Sequence, residues 1–390
     1  MAVVTVLSWM ALAAWVLLLL DHRRAWPSGQ VIPRPQAGPP PPGGEWASAV
    51  VAIVPARNEA EVLGRTLPSL LAQDYPNFRI ILVDDRSTDG TGARARELAR
   101  EAGREDRLLV VEGTPTPAGW SGKVHALHIG LQAIQAAGPD SSWILLTDAD
   151  IRHPCDSVRS LLAKAWTEGR DLVSVMARLR AVGFWERILI PAFVFFFQVL
   201  YPFRRASDRR SRVAAAAGGC ILVRRKILED AGAFAAISGE IIDDVSLARA
   251  VKRAGGDLWL GFHQEVVSVR EYPRLADIWC MVSRTAFVQL RHNYGLLTLA
   301  ALALLEFVVA PPILGGLALL AGCPGAGAAA LGAWAIQSMM LLPSVRHHRV
   351  PALYAAVLPL AGLIYLLMTL SSAWDHLRGR GPAWKGRRYG

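Results

Sequence analysis

The chain has 390 residues, of which 53% are hydrophobic and 19% charged, which is enough for two or three domains. This balance excludes a disordered chain, a coiled coil and a small disulfide-stapled scaffold. The formal net charge of +10 would favour nucleic acid as the partner of a soluble protein. Because the apolar residues are concentrated in long runs, we instead expect the basic surface to face anionic lipid, with no nucleic acid bound.

The N-terminal segment predicts a membrane anchor over residues 1–24. Val3–Leu20 is free of charge and is followed at once by basic residues, including Arg23–Arg24. A signal peptide would carry its basic residues before the apolar run, so the anchor is expected to stay uncleaved. The positive-inside rule then places the N-terminus outside and the arginines in the cytoplasm. Residues 25–47 contain seven prolines and are predicted to be a semi-rigid linker.

Residues 48–290 show the pattern of a soluble α/β domain. Short apolar, β-branched runs end at polar residues, and a helical pattern follows the first run at Glu59–Leu71. Strands that alternate with helices predict a mainly parallel sheet covered on both faces, with its chemistry at the carboxyl ends of the strands. The predicted strands are Ser48–Pro55, Arg79–Asp84, Leu108–Glu112, Trp143–Thr147 and Leu172–Ala177.

An aromatic run at Ile188–Phe203 interrupts this domain and is followed by five arginines that end at Arg212. The run is a little short to cross a bilayer, and a crossing would separate the acidic clusters on either side of it. We therefore expect residues 188–212 to form an interfacial helix and a basic loop at the membrane surface. The alternative is a buried core helix followed by a solvated loop.

The C-terminal part, residues 291–373, predicts membrane helices, and residues 374–390 form a basic tail that we expect in the cytoplasm. The positive-inside rule also places the loop at 344–349 in the cytoplasm, which three simple crossings cannot satisfy. Either Pro311–Pro312 splits the first segment into a short hairpin, or the last segment is re-entrant or interfacial. The three membrane-length segments are Leu296–Ala321, Gly325–Pro343 and Pro351–Ser371.

Three pairs of carboxylates mark the α/β domain. Asp84–Asp85 and the pair Asp148 and Asp150 each follow a predicted strand, whereas Asp243–Asp244 opens a helical pattern. Each pair alone could be a helix cap, but two pairs at strand ends of one parallel sheet converge on one edge. In an extended segment, the D-x-D spacing would turn both carboxylates toward one hard cation such as Mg²⁺ or Mn²⁺.

Taken in order, these motifs resemble family 2 glycosyltransferases with the GT-A fold, an α/β class with a Rossmann-like, mainly parallel sheet. The resemblance covers about residues 48–290 and extends into N- and C-terminal transmembrane helices. Within the family, the chain is most similar to the hopene-associated glycosyltransferases of bacteria. The motifs are IVPARNEAEVL (53–63), DYP (74–76), ILVDDRSTDGT (81–91), GWSGK (119–123), LLTDAD (145–150), AGGCILVRR (217–225) and IIDDVSLARAVKRAGG (241–256).

The resemblance implies a set of donor-binding residues. Pro55, Arg57 and Glu59 match the end of the first strand, which faces the nucleotide in the family. Asp85 matches the carboxylate that contacts the base or ribose, whereas its neighbour is more often structural. Lys123 lies where a basic group can approach the diphosphate. The donor implied is a nucleotide-diphosphate sugar.

The resemblance also implies the metal ligands and the base. Asp148 and Asp150 match the D-x-D motif, and Asp150 is the stronger candidate for direct contact with Mg²⁺ or Mn²⁺. Asp243 stands where the family usually has Glu, and Asp244 matches the general base of inverting transfer. Of the Q/R-x-x-R-W motif of processive and lipid-glycosylating members, only Arg284 is present, which weakens a processive synthase and leaves a possible diphosphate contact.

These features predict a membrane-bound, inverting glycosyltransferase that moves a sugar to a lipid hydroxyl, with a hopanoid acceptor implied by the subgroup resemblance. The expected location is the bacterial inner membrane, with several passes and the catalytic domain in the cytoplasm. Two alternatives stay open. One is a polyprenyl-phosphate sugar transferase, whose acceptor needs no strong base, and the other is a non-catalytic membrane scaffold with a degenerate nucleotide-binding domain.

Overall fold

The computed structural model describes residues 1–25, 30–32, 48–137 and 141–380, with two short strands beyond them. The chain divides into two compact units. We call them the sheet unit, Gly29–Leu179 with Phe203–Arg270, and the helical unit, which contains the remaining residues. The predicted linker at 25–47 lies almost entirely outside the described residues, as do six residues of the predicted basic tail.

The secondary-structure elements have the following bounds. The helices are α1 Ala2–Ala25, α2 Ala60–Leu71, α3 Thr91–Glu101, α4 Gly122–Ala137, α5 Ser157–Glu168, α6 Phe184–Leu200, α7 Phe203–Ala206, α8 Arg225–Asp230, α9 Asp243–Arg253, α10 Leu275–Gln289, α11 Tyr294–Ala303, α12 Ala310–Leu320, α13 Pro324–His347 and α14 Leu358–Leu377. The strands are β1 Ala49–Ala56, β2 Phe78–Asp84, β3 Leu108–Glu112, β4 Ser141–Thr147, β5 Ile151–Arg152, β6 Leu172–Arg178, β7 Cys220–Arg224, β8 Leu258–Ser268, β9 Ala383–Trp384 and β10 Arg387–Arg388.

The sheet unit is built on one eight-stranded sheet with the order β3-β2-β1-β4-β7-β6-β8-β5. Six of its strands are parallel to one another, and β7 and β5 run in the opposite direction. The predicted α/β class with a mainly parallel sheet is therefore confirmed. All five predicted strands are present with bounds within two residues of the prediction.

Both faces of the sheet are covered, which explains why its central strand is an unbroken apolar run. In β1, Val50, Ala52 and Val54 pack on one face with side chains of α2, α3 and α5. The intervening residues Val51 and Ile53 pack on the other face with side chains of α4 and α9. This alternation follows from the two-residue period of a strand.

Among the residues that the structure describes, the helical unit contains four helical segments that are long and apolar enough to cross a membrane. Three of them follow the sheet unit in sequence, which agrees with the number of apolar segments predicted there. The alternative in which tandem prolines split the first of these into a hairpin is wrong, because that segment is helical throughout. The four segments are Ala2–Asp21, Tyr294–Leu320, Pro324–His347 and Ala352–Leu377.

A helix can continue through Pro311–Pro312 because its backbone adjusts to them. Proline has no N–H, so carbonyls one turn earlier lose their helical donors. The turn before the prolines, Leu304–Val309, is π-helical, and the indole Nε1 of Trp15 donates to the carbonyl oxygen of Phe307 at 2.5 Å. A side chain from α1 thus supplies the hydrogen bond that Pro311 cannot.

The aromatic run forms α6, which packs inside the helical unit. The ring of Phe195 stacks on that of Trp15 at 6.4 Å, and Tyr365 donates from its hydroxyl to the carbonyl of Leu189. The structure groups residues 180–202 and 271–290 with the apolar helices, whereas the sequence analysis included them in the 48–290 domain. Local hydropathy does not indicate which partner a short apolar helix packs against. The placement of residues 188–212 at the membrane surface stays a prediction.

Candidate functional site

The site is assembled from loops that follow β1, β2, β4 and β8 and from the start of α9. The loop after β2 is held by Asp84, whose carboxylate accepts the N–H groups of Ser87 and Gly92, both at 3.0 Å. Asp84 therefore caps α3 and fixes the loop, in agreement with the structural role expected for it. The neighbouring Asp85 is left to face the interior and is 2% exposed.

Arg57 and Asp85 are brought together from the ends of β1 and β2. The guanidinium of Arg57 donates from Nη1 to the carbonyl oxygen of Asp85 at 2.7 Å, and the same nitrogen lies 4.0 Å from the Asp85 carboxylate. The pair joins two adjacent parallel strands at their carboxyl ends. In an α/β sheet, this is the edge at which ligands bind.

Lys123 is the cationic centre of the site. It stands at the first turn of α4, and its ammonium nitrogen lies 2.9 Å from Asp148 and 3.2 Å from Asp243. Burial alone would lower the pKa of Lys123, but the two carboxylates and nearby Asp244 outweigh it and raise that pKa. Lys123 therefore carries its positive charge at neutral pH, and it can attract an anionic diphosphate.

Asp244 is held by its backbone surroundings rather than by a direct ion pair. Its two carboxylate oxygens accept the N–H groups of Gly218 and Val245, each at 2.8 Å. Burial, followed by the charge of Asp243, raises its pKa from 3.8 to about 6, against the lowering effect of Lys123. A carboxylate with this pKa is ionised at neutral pH and is a stronger base than an ordinary aspartate.

One pocket brings together five of the ten predicted site residues, and the other five do not line it. It is polar at one side, where the ammonium and carboxylate groups lie, and apolar at the other. Its lining comprises Pro55, Lys123, Leu127, Leu146, Thr147, Asp148, Gly218, Ile221, Phe234, Ile237, Asp243, Asp244 and Leu247. Gly218 is needed here because a Cβ at that position would lie 3.2 Å from the Lys123 ammonium and 3.3 Å from the Asp244 carboxylate.

A second charged group links Asp150 and Glu59 through a residue that the sequence analysis missed. Arg270, just after β8, donates from Nε to Asp150 at 2.8 Å and from Nη2 to Glu59 at 2.6 Å. The hydroxyl of Ser268 also donates to the Asp150 carboxylate, at 3.1 Å. Burial alone would lower the pKa of Arg270, but the two carboxylates outweigh it and raise that pKa.

The D-x-D segment is a turn, whereas its spacing predicts an extended segment. The N–H of Ile151 donates to the carbonyl of Asp148 at 3.2 Å, which closes the turn, and the two carboxylates have different cationic partners. The two carboxylates nevertheless affect each other. Burial and the negative charge of Asp150 raise the pKa of Asp148, whereas the ammonium of Lys123 lowers it, and the net shift is upward. One oxygen of each carboxylate is engaged, which leaves the second oxygen to other ligands.

This donor set fits a hard divalent cation that is completed by its substrate. Among the residues that the structure describes, no three His, Cys, Asp or Glu side chains form a ready-made metal site. Mg²⁺ and Mn²⁺ sites of nucleotide enzymes commonly use one or two carboxylates and take their other ligands from phosphate and water. Asp148 and Asp150 meet that requirement.

The last predicted site residue, Arg284, lies on α10 in the helical unit. Its Nε atom is buried, and the role expected for it as a diphosphate contact stays a prediction. The nine other predicted residues all belong to the sheet unit. Arg270 could have been suspected from the β-branched run that precedes it, because strand ends carry the chemistry of this sheet.

Comparison with known proteins agrees with this fold. Residues 51–232 match the family model described as Glycosyl transferase family 2. The chain is similar to the succinoglycan biosynthesis protein ExoA of Rhizobium meliloti (strain 1021), at 28% identity over 133 residues, or 34% of this chain and 36% of the relative. It is also similar to the 4,4'-diaponeurosporenoate glycosyltransferase of Staphylococcus aureus (strain USA300), at 30% identity over 140 residues, or 35% of this chain and 34% of the relative. Each match spans about a third of the relative's length.

A solved structure extends the similarity in fold to nearly the whole chain. It is the mannosyltransferase PcManGT from Pyrobaculum calidifontis in complex with GDP-Man and Mn²⁺, with a TM-score of 0.56 and 19% identity. The alignment covers 95% of this chain and 99% of that one. At this identity, the likeness shows a shared fold, the GT-A fold, and it does not transfer a ligand or a substrate.

Proposed function

Because residues 51–232 form a glycosyl transferase family 2 domain with the GT-A fold, we propose that the chain is a membrane-bound inverting glycosyltransferase. Its donor is a nucleotide-diphosphate sugar, and its acceptor is a lipid hydroxyl. The observation that carries the proposal is the convergence of Lys123, Asp148, Asp243 and Asp244 in one pocket at the carboxyl edge of the sheet. A pocket of this kind combines a cation for the diphosphate with a base for the acceptor.

The base of the transfer step is Asp244. The acceptor oxygen attacks the anomeric carbon, the bond from that carbon to the nucleotide diphosphate breaks, and Asp244 takes the proton of the acceptor hydroxyl. The N–H groups of Gly218 and Val245 fix the carboxylate, so that little reorganisation is needed at the moment of transfer. Asp243 contributes indirectly, since it pairs with Lys123 and raises the pKa of Asp244.

Donor binding falls to the strand-end residues. Arg57 and Asp85 face the nucleoside, and Lys123 approaches the diphosphate with its charge retained. Asp148 and Asp150 would hold Mg²⁺ or Mn²⁺, which when bound neutralises charge on the diphosphate leaving group. The mannosyltransferase that shares this fold was solved with GDP-Man and Mn²⁺, a donor and a cation of these classes.

The lipid acceptor is supported by the four apolar helical segments and by the staphylococcal relative, which is named as a 4,4'-diaponeurosporenoate glycosyltransferase. The resemblance of the motif GWSGK and of the aromatic run to the hopene-associated glycosyltransferases implies a hopanoid as the acceptor. We place the chain in the bacterial inner membrane with several passes and with the sheet unit in the cytoplasm, where nucleotide sugars are made.

A thermal-shift experiment on detergent-purified, full-length protein tests donor and metal together. UDP-glucose, GDP-mannose and dTDP-glucose are each added with and without Mn²⁺, since a ligand of the folded state raises the melting temperature. We expect one nucleotide class to raise it by a few degrees only when Mn²⁺ is present. The shift should be lost in Asp150→Ala and kept in Asp230→Ala, which removes an exposed carboxylate of the same unit. No shift with any donor would contradict the proposal.

A further inference from the structure

Arg270 neutralises the carboxylate that the proposed function assigns to a divalent cation, by pairing with one of its two oxygens. The Nε of its guanidinium lies 2.8 Å from Oδ2 of Asp150, and Nη2 lies 2.6 Å from Oε1 of Glu59. The side chains of Asp150 and Glu59 are 13% and 6% exposed and that of Arg270 is 30% exposed, so the carboxylates are buried and the guanidinium is only partly open to water. Ion pairs of this kind are screened by salt far less than surface pairs are.

The bridge is fixed by backbone pairing and is not a chance contact between flexible side chains. Strand β5 pairs antiparallel with β8, with Ile151 opposite Ser268. The N–H of Val269 then donates to the carbonyl of Asp150 at 2.9 Å. This register sets Arg270 beside Asp150 although 120 positions separate them in sequence. The sheet therefore carries a cation to the D-x-D turn as part of its fold.

Two cations with the same ligand compete for it. Asp150 Oδ2 already accepts from Arg270 and from the Ser268 hydroxyl, which uses its two lone-pair directions. A divalent ion that approaches Asp150 meets a neutralised carboxylate and an adjacent positive charge. At these distances, the repulsion between the Arg270 guanidinium and a divalent ion is strong enough to weaken the binding of that ion more than tenfold. Without a donor, the site should therefore bind a metal ion weakly.

From this geometry, and resting on the proposed function, we infer that Arg270 is the resident counter-cation of the D-x-D turn. It neutralises Asp150 while the donor is absent and yields this carboxylate to the divalent ion that arrives with the diphosphate. Glu59 retains the guanidinium through Nη2, so the positive charge stays beside the pocket after the exchange. Arg270 is thus a positioning residue that makes metal binding conditional on the nucleotide.

Binding of Mn²⁺, followed by electron paramagnetic resonance of the free ion, tests this inference without any sugar transfer. The full-length protein is titrated with Mn²⁺ alone and with Mn²⁺ in the presence of GDP or UDP. For the wild type, we expect weak binding of the ion alone and much tighter binding with one nucleotide. For Arg270→Met, we expect the affinity for Mn²⁺ alone to rise about tenfold or more, so that the effect of the nucleotide shrinks.

Two control variants separate charge from folding. Arg270→Lys keeps the positive charge but cannot bridge both carboxylates as the guanidinium does, so its affinity for Mn²⁺ alone should lie between those of the wild type and of Arg270→Met. Arg94→Met removes a positive charge from α3, where Arg94 pairs with Glu97 and Glu101, and should leave Mn²⁺ binding unchanged. Melting temperatures of all variants confirm that they are folded.

The outcomes distinguish the inference from the function on which it rests. If the wild type binds Mn²⁺ with a nucleotide but Arg270→Met binds Mn²⁺ alone no more tightly than the wild type, the inference is overturned and the proposed function stands. If neither protein binds Mn²⁺ with any nucleotide, the metal-dependent function and the inference fail together. If Arg270→Lys gains affinity as Arg270→Met does, the charge of Arg270 is not the cause, and the inference is again overturned.

Discussion

The acid limb of the pH–rate profile follows from the surroundings of Asp244. Its pKa is raised to about 6, so the fraction of ionised base falls below that pH. We expect kcat/KM at pH 5 to be about a tenth of its plateau and at pH 4 about a hundredth. A base with an ordinary aspartate pKa of about 3.9 would keep nearly full activity at pH 5. The limb is measured as kcat/KM for the acceptor across pH 4 to 8 in one mixed buffer.

Two substitutions should move this limb in opposite directions. The charge of Asp243 raises the pKa of Asp244, so Asp243→Asn should shift the limb to lower pH. The ammonium of Lys123 lowers the same pKa, so Lys123→Met should shift the limb to higher pH. Both variants lose rate, but only the position of the limb matters. Limbs that coincide in all three proteins would refute Asp244 as the group that titrates.

Two further predictions concern stability. His153 is buried against Thr147, and burial lowers its pKa to about 3. Below about pH 6.5 the unfolded chain binds a proton at this residue and the folded chain does not. The free energy of unfolding should therefore fall by about 1.4 kcal/mol per pH unit there. Denaturant titrations from pH 7 to 4 should show this slope in the wild type and not in His153→Gln. In the helical unit, Trp15→Phe should cost about 1 kcal/mol, because the carbonyl of Phe307 loses its donor. In a Pro311→Ala background, where a backbone N–H is restored, Trp15→Phe should lower the free energy of unfolding by less. If a double-mutant cycle shows equal losses in both backgrounds, this account of the π-helical turn is contradicted.

Much of the sheet unit could be predicted from local sequence. The strand runs at Ala49–Ala56 and Phe78–Asp84 are continuous because they are buried on both faces, and such runs are visible without a partner. The carboxylates that follow them had to lie at one edge, since parallel strands end together. The convergence of Asp85 and Asp148 on one edge was therefore predictable from topology.

The missed features depend on partners that are distant in sequence. Arg270 meets Glu59 across 211 positions, and the β-branched run before Arg270 marks a strand end without saying which residues that strand will meet. The unbroken helix at Pro311–Pro312 depends on Trp15, which lies 292 positions before its acceptor, Phe307. The D-x-D segment turns because Ile151 bonds back to Asp148, which a spacing argument cannot foresee.

Transfer of labelled sugar to lipid by the purified protein in bilayer nanodiscs is the most direct test of the central claim. The donor identified by thermal shift is supplied with Mn²⁺ and a hopanoid alcohol, and the organic extract is assayed for label. We expect label in the lipid fraction with the wild type and with Asp230→Ala, and a loss of at least about a hundredfold with Asp244→Asn. Full transfer by a folded Asp244→Asn would contradict Asp244 as the base and favour a phosphate acceptor, and no transfer by the wild type to any lipid would contradict the proposed function.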